Sequence, residues 1–96
     1  MQIKWLRKAL LNLEDTHDFL AKENPVVAQE FIQETYRLTG LLATQPAMGR
    51  AGRVAGTREL VIQKYPFIIP YRVQGNEVQI LRVFHTRLRL PSHWRA

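Results

Sequence analysis

The alternation of apolar and polar residues at the start of the chain predicts a short strand followed by a helix. Ile3 and Trp5 alternate with polar neighbours, which is typical of a strand over residues 2–5. An amphipathic helix ending near Lys22 should follow, because apolar side chains then recur at helical spacing. The residues of this stripe are Leu6, Leu10, Leu13, His17 and Leu20.

A second helix is predicted after Asn24-Pro25. Asn24 can cap a helix, and Pro25 has the backbone angle of a first helical position. Gly40 weakens the helix near its end, and Pro46 marks a point where it has stopped. Because the link between the two helices is so short, they should form an antiparallel hairpin. The apolar side of the second helix would consist of Val27, Phe31, Thr35, Leu38 and Leu42.

Beyond Pro46 the pattern predicts a loop and then strands. Residues 46–59 contain three glycines and three arginines and have no helical period. Strands are expected over residues 59–63, 65–73 and 77–85, with Gly75-Asn76 as a two-residue hairpin turn, and no element is expected in Thr86–Ala96. The fold class is therefore α+β, in the order β-α-α-β-β-β, with the helical hairpin packed on one face of an antiparallel sheet.

A turn at Gly75-Asn76 sets the pairing of the last two strands. Tyr71 then lies opposite Ile80, and this pair, with Val73–Val78 and Phe67–Phe84, should face the helices. The other face would carry the pairs Arg72–Gln79, Pro70–Leu81 and Ile68–Val83. In this register Arg82 falls on the apolar face opposite Ile69, and a bulge or a longer turn would relieve that conflict.

The length and composition of the chain predict one domain that spans residues 1–96. A chain of 96 residues can build one modest core, and the absence of cysteine excludes disulfides and thiolate chemistry. No apolar run approaches the roughly 18 residues that a membrane span needs. The first twenty residues lack the unbroken apolar stretch of a signal peptide. We therefore expect a soluble, cytoplasmic protein that does not act at membranes.

Positive charge is concentrated in the second half of the chain. Residues 1–48 contain five lysines and arginines against six acids, whereas residues 49–96 contain nine against two. Eight of those nine are arginine, whose planar guanidinium suits carboxylates and phosphates. The asymmetry indicates an anionic partner, either a nucleic acid or an acidic protein segment. The alternative is a basic surface that has no specific partner.

The arginines of the predicted loop are the strongest candidates for binding. Arg50, Arg53 and Arg58 recur among glycines, so their guanidinium groups can approach one another. They could bind phosphates or the acidic side chains of a partner. The alternative is solvated charge with one structural salt bridge to Glu59. The loop is not a nucleotide-binding P-loop, because it lacks the lysine and the following Ser or Thr.

We expect no metal site, because the three histidines do not have the spacing of metal ligands, and we expect no cofactor. His17 lies on an apolar helix stripe, where a packed, hydrogen-bonded histidine is expected. His85 ends the last strand and is followed by Arg87 and Arg89, which form a second basic cluster. A histidine there could be a general acid or base near neutral pH, or a strand-end residue that hydrogen-bonds to the backbone.

Three segments of the chain together resemble the RelE/ParE toxins of bacterial type II toxin–antitoxin modules. The segments are GRAGRVAGTRELVI, YPFIIPYRV and VQILRVFHTRLRLP. Their matching positions are Gly56, Arg58, Glu59 and Leu60, then Tyr65, Ile68, Ile69, Tyr71, Arg72 and Val73, then Arg82, Val83 and His85. The resemblance implies a β-α-α-β-β-β fold and a hetero-oligomer in which a co-transcribed antitoxin wraps around the toxin. Arg50, Arg53, Arg58, Arg87 and Arg89 would then bind the antitoxin or the target.

The resemblance allows two targets, since RelE-type members cut messenger RNA on the ribosome and ParE-type members poison DNA gyrase. RelE-like enzymes place a catalytic arginine three positions before the conserved tyrosine, where this chain has Ile68. Cleavage at a phosphate needs a positioned cation. A ribosome-dependent endoribonuclease would therefore have to use His85 with Arg72 or Arg82. The ParE-like gyrase poison is the favoured interpretation, and a non-toxic nucleic-acid-binding module is the third.

Overall fold

The computed structural model describes residues 1–86, and the predicted basic residues Arg87 and Arg89 lie outside them. Within these residues one strand is followed by two helices and then by five more strands, in the predicted α+β arrangement. In chain order they are β1 (Gln2–Trp5), α1 (Arg7–Glu23), α2 (Pro25–Leu41), β2 (Arg50–Ala51), β3 (Arg58–Ile62), β4 (Phe67–Gln74), β5 (Glu77–Ile80) and β6 (Phe84–His85). The short strand β2 lies within the segment that the sequence predicted to be a loop.

The two helices form the predicted hairpin, with Asn24 as the only residue between them. The Asn24 side-chain oxygen accepts hydrogen bonds from the backbone N–H groups of Val26 and Val27, at 3.1 and 3.2 Å. This cap and the proline at the first helical position start α2 where the sequence predicts. The helix passes through Gly40 to Leu41 before it ends. Within residues 1–86, neither helix is long and apolar enough to cross a membrane.

The sheet is mixed, because β1 runs parallel to β5 while every other pairing is antiparallel. The strand order is β1-β5-β4-β3-β2, and β6 pairs with β4 beyond the end of β5. The sequence predicted an antiparallel sheet. This is correct for the pairings among β2, β3, β4, β5 and β6, whereas β1 pairs parallel to β5. The parallel pair joins strands separated by both helices, so no hairpin turn sets its direction.

The core lies between the helical hairpin and one face of the sheet. Phe31 of α2 is fully buried and packs against the ring of Phe67 at a centroid distance of 4.9 Å. On α1 the buried residues are Ala9 and Leu13, whereas Leu10 of the predicted stripe is 44% exposed. The predicted stripe therefore holds at its other positions, and Ala9 takes the inward place that was predicted for Leu10.

The hairpin between β4 and β5 has the predicted turn and register. Gln74 pairs with Glu77 around Gly75-Asn76, and Tyr71 pairs with Ile80. Gly75 has φ of 60°, whereas no residue other than glycine has positive φ among residues 1–86. A positive φ at the first central position alone is the pattern of a type II′ turn, which suits glycine.

A bulge separates β5 from β6. In β6, Phe84 pairs with Ile68 and His85 pairs with Phe67, one residue out of step with the β4–β5 register. The predicted pairs Phe67–Phe84 and Ile68–Val83 are therefore wrong beyond the bulge. One extra residue accounts for the shift, and this is the bulge that the position of Arg82 required.

Arg82 supplies a hydrogen bond that Pro70 cannot make. The N–H of Leu81 donates to the Pro70 carbonyl at 2.9 Å, but proline has no N–H to donate in return. The Arg82 Nη1 atom instead donates to the Leu81 carbonyl at 2.7 Å. Arg82 is only 9% exposed, and burial lowers the pKa of its guanidinium. The buried guanidinium thus satisfies a backbone acceptor inside the sheet.

Removing the Arg82 guanidinium should therefore cost more when residue 70 is proline. We expect Arg82→Met to lower the free energy of unfolding by about 1–3 kcal/mol, because the Leu81 carbonyl stays buried without that donor. In a Pro70→Val background, which restores an N–H at residue 70, the same change should cost about 1 kcal/mol less. Urea denaturation of the four proteins measures the difference. Equal costs in both backgrounds would contradict the assignment.

Candidate interaction site on the arginine loop

The side chains of the sheet divide between a face covered by the helices and a distal face turned away from them. Ile69 and Tyr71 belong to the helix-side core. Because side chains alternate along a strand, Pro70 and Arg72 point to the distal face. Glu59 pairs with Pro70 and Arg50 pairs with Glu59, so these side chains also lie on the distal face.

A buried carboxylate organises the arginine loop, which we define as residues 46–58. Glu59 is 2% exposed, yet its two oxygens meet two arginines. Arg50 Nη2 lies 3.2 Å from Oε1, and Arg53 Nη1 lies 3.5 Å from Oε2. The backbone N–H of Arg53 also donates to Oε2 at 3.0 Å. The carboxylate thus holds both arginines at fixed positions beside the distal face.

The two arginines remain accessible although they are paired. The Arg50 side chain is 56% exposed and that of Arg53 is 36% exposed. Two guanidinium groups against one carboxylate leave a net positive charge at this point of the surface. A salt bridge to Glu59 was the structural alternative for these residues, and it is present. The arrangement is also able to bind an anionic group, because each guanidinium has five N–H donors.

Tyr71 ties the start of the arginine loop to the helix side of the sheet. Its buried hydroxyl donates to the Pro46 carbonyl at 2.8 Å and accepts from the Gly49 N–H at 2.8 Å. A Cβ atom on Gly49 would lie 2.6 Å from the Tyr71 ring, so only glycine fits there. Burial raises the pKa of Tyr71, while the hydrogen bond from Gly49 and the charge of Arg58 oppose the increase.

Arg58 also has a structural partner set, but a different one. Its Nη1 atom donates to the Gly49 carbonyl at 2.8 Å and to the Ala47 carbonyl at 3.4 Å. It pairs with Tyr71 in the sheet and therefore lies on the helix side. The three loop arginines are thus divided: Arg50 and Arg53 flank Glu59, and Arg58 binds loop carbonyls.

The structure does not bring the three candidate catalytic residues together. Arg72 lies on the distal face, where its Nε atom donates to Gln79 Oε1 at 2.6 Å. His85 pairs with Phe67 on the helix side, and the two rings meet edge to face at 4.9 Å. Arg82 is buried at the bulge. His85 instead borders an apolar cavity of about 260 Å³ that is also lined by Asp15, Thr16, Phe19 and Phe67.

Sequence reasoning missed two residues of this site. Glu59 was seen as one possible salt-bridge partner of the loop, not as a buried carboxylate shared by two arginines. Tyr71 was assigned to the core without a role in holding the loop. The burial of Glu59 follows from its pairing with Pro70 in β4, a contact between distant segments that the sequence does not signal.

Comparisons with known proteins agree with this architecture. Residues 3–89 match the family model of the ParE toxin of the type II toxin–antitoxin system parDE. The chain belongs to the ParE toxin family. It is 37% identical to the protein Y4kP of Sinorhizobium fredii over 91 residues, covering 95% of this chain and 94% of that protein. It is 32% identical to toxin RelE2 of Caulobacter vibrioides over 84 residues, covering 88% and 93%.

A solved structure supports the same family for this toxin. A chain of the chromosomal ParDE toxin–antitoxin system from P. aeruginosa superposes with a TM-score of 0.80 and 32% sequence identity, covering 91% of this chain and 97% of that one. The resemblance to RelE/ParE toxins and the predicted α+β fold are therefore confirmed. Between the two branches, the family model and this structure favour ParE. Family membership also supports a cognate antitoxin as the partner.

Removing the Tyr71 hydroxyl should loosen the arginine loop. We expect Tyr71→Phe to lower the free energy of unfolding by about 1–3 kcal/mol, because the buried Gly49 N–H and the Pro46 carbonyl lose their partner. Tyr65→Phe is the control, since its hydroxyl reaches only Glu30 at 3.4 Å on the surface. Urea denaturation should show a change below about 0.5 kcal/mol for the control. Equal effects of the two substitutions would contradict the proposed anchor.

The same tyrosine predicts an alkaline loss of stability. The folded state raises the pKa of Tyr71, so it retains the proton at a pH where the unfolded chain releases it. The Tyr71 contribution is therefore complete below pH about 10 and falls as the pH rises above that value. Thermal unfolding between pH 8 and 11 should show a steeper decline for the wild type than for Tyr71→Phe. Parallel declines would contradict a buried, neutral phenol.

Neutralising Glu59 should release Arg50 and Arg53. We expect Glu59→Gln to lower the free energy of unfolding by about 1–2 kcal/mol, less than for a fully buried pair because both arginines are partly solvated. Glu34→Gln is the control, because Glu34 pairs with Arg37 on the surface of α2 and should cost less than about 0.5 kcal/mol. Hydrogen exchange at the Arg53 amide should accelerate only in Glu59→Gln. An unchanged rate there would show that Glu59 does not hold the loop.

Proposed function

We propose that this ParE-family toxin inhibits growth by binding DNA gyrase, and that the surface around Arg50 and Arg53 is its main contact. One observation carries the proposal: the buried Glu59 carboxylate holds two exposed guanidinium groups in place. Binding to an anionic surface is favoured when the cations are positioned beforehand, since less side-chain entropy is then lost.

The placement of the other polar residues supports binding rather than RNA cleavage. General acid–base catalysis requires groups that converge on one reacting atom. His85 and Arg72 lie on opposite sides of the sheet, and the Arg82 guanidinium binds a buried backbone carbonyl. Ile68, which occupies the position of the expected catalytic arginine, is 1% exposed and apolar.

The toxin is inactive, in this proposal, when its cognate antitoxin covers the same arginines. Acidic side chains of the antitoxin would compete with the target for Arg50 and Arg53. Arg58, Arg87 and Arg89 are further candidate contacts for the antitoxin or the target. Because charge attraction increases the association rate, binding should weaken as the salt concentration rises.

A supercoiling assay tests the gyrase target. Purified toxin should inhibit supercoiling by gyrase and lead to the accumulation of cleaved DNA. The variant Arg50→Ala/Arg53→Ala/Glu59→Gln should be at least about tenfold weaker, and the third substitution avoids leaving a buried, unpaired carboxylate. The variant Arg7→Ala/Lys8→Ala removes two positive charges from α1 and should retain full potency.

Three outcomes would contradict the proposal. Normal supercoiling at a saturating concentration of folded toxin would exclude gyrase as the target. If the toxin instead cleaved translated messages in a translating extract, and His85→Ala abolished that cleavage, the protein would be a ribosome-dependent endoribonuclease. Equal potency of the two variants would move the contact surface away from the arginine loop.

A further inference from the structure

The distal face of the sheet carries a row of cations that crosses the strands. Lys4 of β1 pairs with Gln79 of β5, and Gln79 pairs with Arg72 of β4. Residues that pair directly point their side chains to the same face, so Lys4 and Gln79 lie on the distal face with Arg72. Farther in the same direction, beyond β3, lies Arg50 of β2. We call Lys4, Arg72, Arg50 and Arg53 the cation row.

The cation row is about 20 Å long, because neighbouring strands lie about 4.8 Å apart and four such steps separate β1 from β2. Arg72 lies near its middle, since β4 is two steps from either end. A DNA strand advances about 3.4 Å per nucleotide along the helix axis, so the row is as long as about six base pairs of a duplex. Its length therefore suits several phosphates rather than one.

Positive charge exceeds negative charge along the row. Within residues 1–86, this part of the distal face has two carboxylates, Glu59 and Glu77. The two loop arginines share Glu59, and Glu77 accepts a hydrogen bond from Gln79 at 2.8 Å. Lys4 and Arg72 form no salt bridge within the described chain. The four cations of the row therefore exceed its carboxylates by two charges.

An uncharged partner holds the Arg72 guanidinium in place. Its Nε atom donates to Gln79 Oε1 at 2.6 Å, and Gln79 Nε2 donates in turn to Glu77 Oε1 at 2.8 Å. Because Gln79 is an amide, this bond positions the guanidinium without neutralising it. A guanidinium has five N–H donors, so the Nη groups of Arg72 can bind a phosphate. Lys4 lies on the other side of Gln79 and is exposed.

The polarity of the row favours a nucleic acid over a protein surface. The amide side chains of Gln2, Gln74 and Gln79 lie among the cations on the distal face. Pro70, which lies two residues before Arg72 on the same face, is buried. The centre of a protein–protein interface is typically apolar and poor in charge, whereas surfaces that bind DNA are polar and strongly positive. The cation row therefore suits phosphates better than the surface of a second protein.

We propose that the cation row binds the phosphate backbone of the DNA duplex that gyrase holds. The inference rests on the proposed function, because it takes gyrase as the target. Lys4 and Arg72 add DNA contacts to those of Arg50 and Arg53, so the toxin binds gyrase more tightly when DNA is present. Each phosphate that is neutralised releases counterions, and the affinity for the gyrase–DNA complex therefore falls steeply as the salt concentration rises.

A binding assay with and without DNA tests the inference. Labelled toxin is titrated with gyrase alone and with gyrase bound to a linear duplex that contains a gyrase cleavage site. The duplex should raise the affinity of the wild-type toxin at least about tenfold. Lys4→Gln/Arg72→Gln should lose most of that gain, while its affinity for gyrase alone changes less than about twofold. Arg7→Gln/Lys8→Gln removes the same charge from α1 and should keep the gain, and equal unfolding midpoints in urea show that both variants are folded.

The salt dependence of binding is a second readout, and for the wild-type toxin it needs no substitution. Each phosphate contact contributes about 0.9 to the slope of log K against log salt concentration, so the slope should be steeper with DNA than without it. Lys4→Gln/Arg72→Gln should lower the slope with DNA by about two. If wild-type toxin binds gyrase with equal affinity and equal slope in both states, the inference is wrong and the proposed function stands. If the toxin binds gyrase in neither state, the proposed function fails and the inference fails with it.

Discussion

A carboxylate that is removed from water must be paired, and this constraint explains the arrangement of the arginine loop. Glu59 is almost completely buried, so leaving it without cations would be costly. Arg50 and Arg53 satisfy it from a segment that has little hydrophobic contact of its own. The charge in the sheet therefore fixes the part of the loop that contains Arg50 and Arg53. The same charge leaves both arginines partly exposed, so one interaction supports both the local structure and the proposed contact surface.

The other attachments of the loop come from the helix side of the sheet. The Tyr71 hydroxyl and the Arg58 guanidinium hold backbone groups of residues 46–49, while Glu59 holds side chains on the distal face. Adjacent residues of β3 thus act on opposite sides of the sheet. This division explains why three arginines that look equivalent in the sequence have different environments. It also places Arg50 and Arg53 together on the distal face, beside one carboxylate.

The features that the sequence predicted well depend on local chemistry. Asn24-Pro25 and Gly75-Asn76 determine backbone angles and caps within a few residues, so the helix start and the β4–β5 turn could be predicted. The partner of β1, the burial of Glu59 and the side of the sheet that His85 occupies depend on contacts between distant segments. The bulge at Arg82 could be inferred from a conflict in the register, but the hydrogen bond from Arg82 to the Leu81 carbonyl could not. That bond lies opposite Pro70, twelve positions earlier in the chain.

The hydrogen bond from Arg82 to the Leu81 carbonyl has a consequence for how this sequence can diverge. A proline in a central strand is normally excluded because it leaves an acceptor without its donor. Here the side chain of Arg82, in the bulge between β5 and β6, supplies a donor instead, so the two positions constrain each other. A lineage that replaced the proline with another residue would lower the cost of changing residue 82. Conversely, the arginine can be lost at little cost only after that replacement, so the order of the two mutations matters.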